Sequence, residues 1–397
     1  MTDACPACGA STTSSVLEWP DVPTSTVLFF ESADEALAFP RGSFRLTLCE
    51  RCGFLFNADH EIALTEYSER YVETQAFSPH HRAFAQSLAK EWIERYGLRG
   101  KFVFEIGPGH RADFLRMFCE LSGGDAVGIG PSVSLAAVSP QVSLISDYFD
   151  DRWTALPGDA VICRHTLEHI PDVRGFLSNL GKWGDRHPAA VYLFEVPDTA
   201  RILEEVAFWD LNYEHCSYFT TQTLASTFIE AGFSVERCQL VYDRQYVILE
   251  ARRGRTRLDD DVLAQQAKGM RGAVQRFVAE LDGVVGRGRE RLARLADDGP
   301  VLFWQASAKA VGMLTVLDAA DQVAAVVDAN PGKHGLHLAG TGHLIIGADE
   351  VAAYAPAHIV CMNPVYEAEI AASLREDRVE ARLISANDLI ADGVQRG

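Results

Sequence analysis

The 397-residue chain predicts an α/β protein in three parts: a small cysteine-bearing module at 1–60, a central Rossmann-like domain at 61–255, and a second Rossmann-like domain at 299–397 beyond a helical connector at 256–298. Three observations carry that prediction. Short apolar runs alternate with stretches of helical periodicity, the pattern of parallel strands joined by crossover helices. Two CxxC pairs stand within the first sixty residues. The length is two or three times that of an ordinary domain of roughly 100–200 residues.

Cys5-Pro-Ala-Cys8 and Cys49-Glu-Arg-Cys52 are each followed by a glycine, which permits the tight turn that presents two sulfurs to one ion. Four cysteines at that spacing predict a closed, structural zinc site with no open position for catalysis. The interval between the pairs leaves room for a strand pair at 14–19 and 43–48. Cys119, Cys163, Cys216, Cys238 and Cys361 are scattered singly and read as small buried hydrophobes.

In the central part, residues 82–96 have helical spacing. Lys101-Phe-Val-Phe-Glu105-Ile-Gly107-Pro-Gly109 then reads as a buried strand running into a glycine turn, the cradle of a nucleoside or phosphate in α/β folds. Further strands are predicted at 126–129, 159–163, 190–195 and 246–251. Beyond them, 252–298 predicts one or two long helices bridging domains. Strands follow at 301–304, 323–327 and 358–362, with a helix at 310–317. The turn Gln305-Ala-Ser307-Ala-Lys309 lacks the glycines of a dinucleotide cradle, so NAD binding is not expected there.

The formal net charge of −19 argues against a nucleic-acid partner. No apolar run approaches the ~20 residues of a membrane-spanning helix. The first residues have neither a basic region nor an apolar core, so a cytoplasmic protein with reduced thiols is expected.

Glu105-Ile-Gly-Pro-Gly109, His165-Thr-Leu-Glu-His169-Ile-Pro and Tyr213-Glu-His215-Cys-Ser-Tyr-Phe219 together resemble class I S-adenosylmethionine (SAM) dependent methyltransferases. More narrowly, they are similar to the sugar C-methyltransferases that act on nucleotide-linked 4-keto-6-deoxysugars. The resemblance extends over almost the whole chain: zinc module, class I methyltransferase domain, EHxSYF loop and C-terminal Rossmann-like domain. It implies that His215 is the base, with Glu214 its orienting or proton-accepting neighbour, and that His169 lines the substrate pocket. It further implies SAM contacts from Glu105, Gly107, Gly109, His165 and Gln75, and substrate contacts from Tyr71, Asn212, Tyr213 and Lys309. Segment 67–79 is expected to fold over cofactor and substrate.

The chemistry fits such residues. Methylating carbon beside a ketone requires removing a weakly acidic proton, stabilising the enolate and aligning the methyl donor. Histidine titrates near working pH.

Two departures from the family pattern stand out. Gly130 occupies the end of the second strand, where a carboxylate ordinarily binds the ribose hydroxyls. Asp125 and Asp147 are the candidate replacements, and the bulk of His110 and Arg111 narrows the glycine turn. Asn212 stands where relatives carry tyrosine. The alternatives are therefore SAM-dependent methylation of another small metabolite, and a methyltransferase-like chain that has lost methyl transfer and serves as an epimerase or binding module.

Overall fold

A computed structural model describes residues 4–68, 71, 74–136, 139–254 and 256–391. The N-terminal part is an antiparallel sheet. Thr13–Pro23 pairs with Arg41–Cys49, with Ser14 opposite Leu48 and Trp19 opposite Phe44, so the expected strand pair is present and longer. Phe44 and Leu46 turn inward while Arg45 between them reaches Asp59, the alternation of a half-buried strand. Leu55–Asn57 follows in the sheet. Its fourth strand is Ser217–Tyr218, from the EHCSYF segment.

The central sheet has seven strands in the order Phe233–Val241, Tyr246–Arg253, Val191–Pro197, Ala160–Arg164, Val103–Ile106, Ala126–Ile129, Val142–Ile145. The last five run parallel, and the first two form an antiparallel hairpin at one edge. The inner strands of the parallel part are buried on both faces. Val103 and Ile162 pack under helices Pro79–Tyr96 and Asp113–Ser122, whereas Phe104 and Val161 pack under Val173–Arg186 and Thr221–Glu230. Strand order reverses between Val103–Ile106 and Ala160–Arg164. The carboxyl ends of strands at such a switch point are where α/β sheets take ligands.

After strand Tyr246–Arg253, residues 252–298 give a single helix, Asp260–Asp298, with Met270, Val274, Phe277, Leu281 and Val284 on its buried stripe. At one end Gln266 donates to the carbonyl of Cys52, and further along Arg287 donates to that of Ile390. The C-terminal sheet is parallel, in the order Ile345–Ile346, Ala325–Val327, Val301–Trp304, His358–Cys361, Arg382–Ser385. A further two-stranded pairing joins Phe29–Phe30 to His337–Leu338, tying the two ends of the chain together. Among the described residues no helix is long and apolar enough to cross a membrane.

Candidate active site

The glycine turn after Val103–Ile106 needs glycine for two separate reasons. Gly107 and Gly109 have φ of 67° and 75°, and a Cβ on Gly107 would fall 2.0 Å from Thr166 Oγ1. The turn opens into a cavity of about 1160 Å³, larger than the roughly 300–1,000 Å³ of a one-ligand pocket. Both the turn and the C-terminal domain line it.

On the cofactor side lie Glu105, Arg164, His165 and Gln75. Glu105 is buried with Oε2 unpartnered, and burial pushes its carboxyl up to about 8 against the pull of Arg164. Arg164 makes a two-pronged pair with Glu195 at 3.2 and 3.0 Å. Burial alone would raise Glu195, but Arg164 and His165 hold it at about 2. His165 has a left-handed backbone, with φ of 47°, and its ring meets the edge of Tyr246. The Gln75 amide is held between the hydroxyls of Tyr246 and Tyr366.

Gly130 lies directly against the turn: an added Cβ would come within 3.3 Å of Pro108 Cδ and 3.4 Å of Gly107 Cα. Neither Asp125 nor Asp147 borders the cavity, and Asp147 is paired with Arg152, so neither replaces the expected ribose carboxylate. His110 and Arg111 do border it.

On the substrate side, His169 and His215 meet edge to face at 4.8 Å. Tyr67 holds His169 Nδ1 at 3.1 Å, and burial puts the His169 pKa well below the ordinary histidine value. Glu214 is fully enclosed yet richly bonded. It accepts from the Tyr71 hydroxyl at 2.8 Å and from the Thr26 N–H, while burial raises its carboxyl. Asn212 and His215 share two hydrogen bonds, and burial brings His215 down to about 4. Four of the segment 67–79 residues, Glu69, Arg70, Val72 and Glu73, lie outside the described residues. Tyr67, Tyr71 and Gln75 all line the cavity.

Tyr213 departs from its expected role as a substrate contact. Asn212 and Glu214 border the cavity, while Tyr213 between them, in a turn, points under the N-terminal sheet. There its hydroxyl accepts from the Glu61 N–H at 2.9 Å and donates to the Asp59 carbonyl. Lys309 borders the cavity from the C-terminal domain, but its ammonium is tied to Asp210, which also holds Arg201. The reading of sequence missed Asp210 and Arg201; nothing in a lone Trp-Asp-Leu or Ala-Arg-Ile marks a charge that only the fold brings opposite Lys309.

The four N-terminal cysteines converge. Their sulfurs lie within 4.8 Å of one another, with Cys5 to Cys52 at 3.8 Å and Cys8 to Cys49 at 3.6 Å. A zinc–sulfur bond of about 2.3 Å in a tetrahedron sets sulfurs about 3.8 Å apart, so the donor set fits the ion.

Two family models divide much of the chain: a methyltransferase domain matches residues 80–237, and a C-methyltransferase C-terminal domain matches 261–384. The chain thus matches a methyltransferase domain followed by a C-methyltransferase C-terminal domain. The chain is 27% identical over 252 residues to the C-methyltransferase NovU of Streptomyces niveus, a match covering 59% of this chain and 56% of that one. It thus spans little more than half the length of that curated relative. Solved structures overlap it more loosely. The 1,6-didemethyltoxoflavin-N1-methyltransferase of Burkholderia thailandensis is 18% identical with a TM-score of 0.32, over 44% of this chain and 84% of that one. The magnesium protoporphyrin IX methyltransferase of Synechocystis PCC 6803 is also 18% identical, with a TM-score of 0.33 over the same shares.

Proposed function

We propose that this chain transfers a methyl group from SAM to the carbon next to a ketone in a nucleotide-linked keto-deoxysugar. The observation that carries this is the convergence of His215, Glu214, His169 and Tyr71 on one cavity that also opens on the Gly107–Gly109 turn. Its volume leaves room for a donor and an acceptor together. The similarity to NovU and the C-methyltransferase C-terminal domain support carbon as the methylated atom, while a sugar as its bearer rests on the motif resemblance of the EHCSYF segment.

Glu105, Gly107, Gly109, His165 and Gln75 would hold SAM, which when bound supplies an electrophilic methyl group. The buried, unpartnered Glu105 Oε2 suits the ammonium of its amino-acid end. His215 and Glu214 carry out the deprotonation of the sugar as a pair, with Tyr71 orienting Glu214 and Tyr67 orienting His169. Cys5, Cys8, Cys49 and Cys52 would bind a structural zinc that has no part in the chemistry.

The test is a calorimetric titration with SAM and S-adenosylhomocysteine, followed by mass spectrometry of nucleotide-linked ketosugars incubated with enzyme and SAM. Micromolar binding and a gain of one methyl are expected. No binding at millimolar SAM would remove methyl transfer, and full turnover by His215→Ala would remove His215 from the chemistry.

A further inference from the structure

Asn212 faces His215 with both ends of its amide. The peptide N–H of His215 lies 3.2 Å from Asn212 Oδ1, and ring Nδ1 lies 3.4 Å from Asn212 Nδ2. A peptide N–H can only donate, so the amide atom facing it is the oxygen. The other end is then an NH2 group, which also only donates. Nδ1 must therefore offer it a lone pair, and the single proton of a neutral imidazole is left on Nε2. Burial keeps the ring neutral at ordinary pH. Nε2 has no hydrogen-bond partner among the described residues, and the ring borders the cavity.

We infer that Asn212 is a positioning residue that fixes His215 in its Nε2–H tautomer, so that the ring presents the substrate with a hydrogen-bond donor in place of a lone pair. The inference rests on the function proposed above for its consequence, but not for the tautomer itself. A donor at that position belongs on the ketone oxygen, as neutral imidazoles act in other enolising sites. The C–H bond breaks with its proton passing to the Glu214 carboxylate. Its electron pair moves into the enolate, and the charge on the enolate oxygen is met by His215 Nε2–H. With SAM bound, that carbon would take its methyl group, the carbon–sulfur bond breaking to leave S-adenosylhomocysteine. Glu214 borders the same cavity, next to His215 in the chain, and Tyr71 fixes its Oε2 at 2.8 Å.

Nitrogen-15 correlation spectra of protein labelled at histidine read the tautomer directly, without any ligand. The signals of His215 are those missing from His215→Gln. Wild type at about pH 7.5 is expected to show an unprotonated Nδ1 and a protonated Nε2. Asn212→Asp offers an acceptor to both groups and is expected to invert that pattern and to lower kcat at least tenfold, with KM for the sugar changed less than threefold. A protonated Nδ1 in wild type, or the same tautomer in both proteins, would overturn the inference. Absence of SAM binding would overturn the proposed function and leave the tautomer standing.

Discussion

Glu105 and Glu168 both line the cavity: one lies in strand Val103–Ile106, the other in the turn after Ala160–Arg164. Each is buried with one carboxylate oxygen unpartnered, and burial pushes each up to about 8 from an ordinary 4.5. A carboxyl raised in the native state binds its proton more tightly there than in the unfolded chain. Its contribution to stability is therefore fully present below about pH 4.5 and is lost as pH rises through about 8. The ligand-free protein should lose Tm between about pH 4.5 and 8, and Glu105→Gln should flatten that slope and raise Tm at pH 9 by a few degrees. Melting curves across that range check it; a variant no more stable than wild type at pH 9 would contradict the assignment. Glu105, His169, Glu214 and His215 were all legible in the sequence because each lies inside a motif. The direction in which a side chain faces was less legible. Tyr213 and Asn212 are adjacent and both polar-capable, and only the fold of the turn decides that Asn212 meets the cavity while Tyr213 does not.

At the scale of elements, the turn at Gly107 is the most constrained segment near the cavity. Gly107→Ala combines a left-handed φ with a Cβ placed 2.0 Å from Thr166 Oγ1, so the turn must move. The backbone penalty alone is about 1–2 kcal/mol. SAM affinity is expected to fall more than tenfold, together with a lower Tm, in paired titration and melting experiments. The parallel strands were readable because burial on both faces makes them continuous apolar runs, as at Val103–Ile106 and Ala126–Ile129. Val142–Ile145 and Phe233–Val241 were not, because edge strands carry exposed and half-exposed residues that break the apolar run. The long Asp260–Asp298 helix was legible in type but not in continuity, since four of its five interior glycines, Gly269, Gly272, Gly283 and Gly286, meet little or nothing around them and give no sign of whether the helix breaks.

Across the whole molecule, the substrate loop is held by the cysteine module. Ser217–Tyr218 completes the N-terminal sheet beside Leu55–Asn57, and the Asn57 N–H donates to the Cys216 carbonyl, one residue from His215. One zinc per chain is expected by metal analysis. Stripping it with a chelator should depress turnover and shift His215 resonances although no cysteine touches substrate; unchanged turnover in demonstrably metal-free protein would contradict this coupling. The C-terminal domain reaches the cofactor side in the same indirect way. Tyr366 donates to Gln75 Oε1 at 2.8 Å, and Glu369 accepts from Ser78 and from the His80 N–H at the start of helix Pro79–Tyr96. Tyr366→Phe and Glu369→Gln should each weaken SAM binding about three- to tenfold, measured by titration, whereas Tyr242→Phe, which loses a bond across the same interface but none to Gln75, should not.

The pairing of Phe29–Phe30 with His337–Leu338 sets a timetable for synthesis. A ribosome adding roughly 5–20 residues per second releases the N-terminal strands long before their partners exist. The four-stranded sheet lacks its last strand until residue 218 has emerged, and Phe29 and Phe30 wait for residues 337 and 338. Until then these apolar edges are open to chaperones or to neighbouring nascent chains. Early metal capture by the two cysteine knuckles, which needs only the first 52 residues, is the step that can hold the module together through that interval.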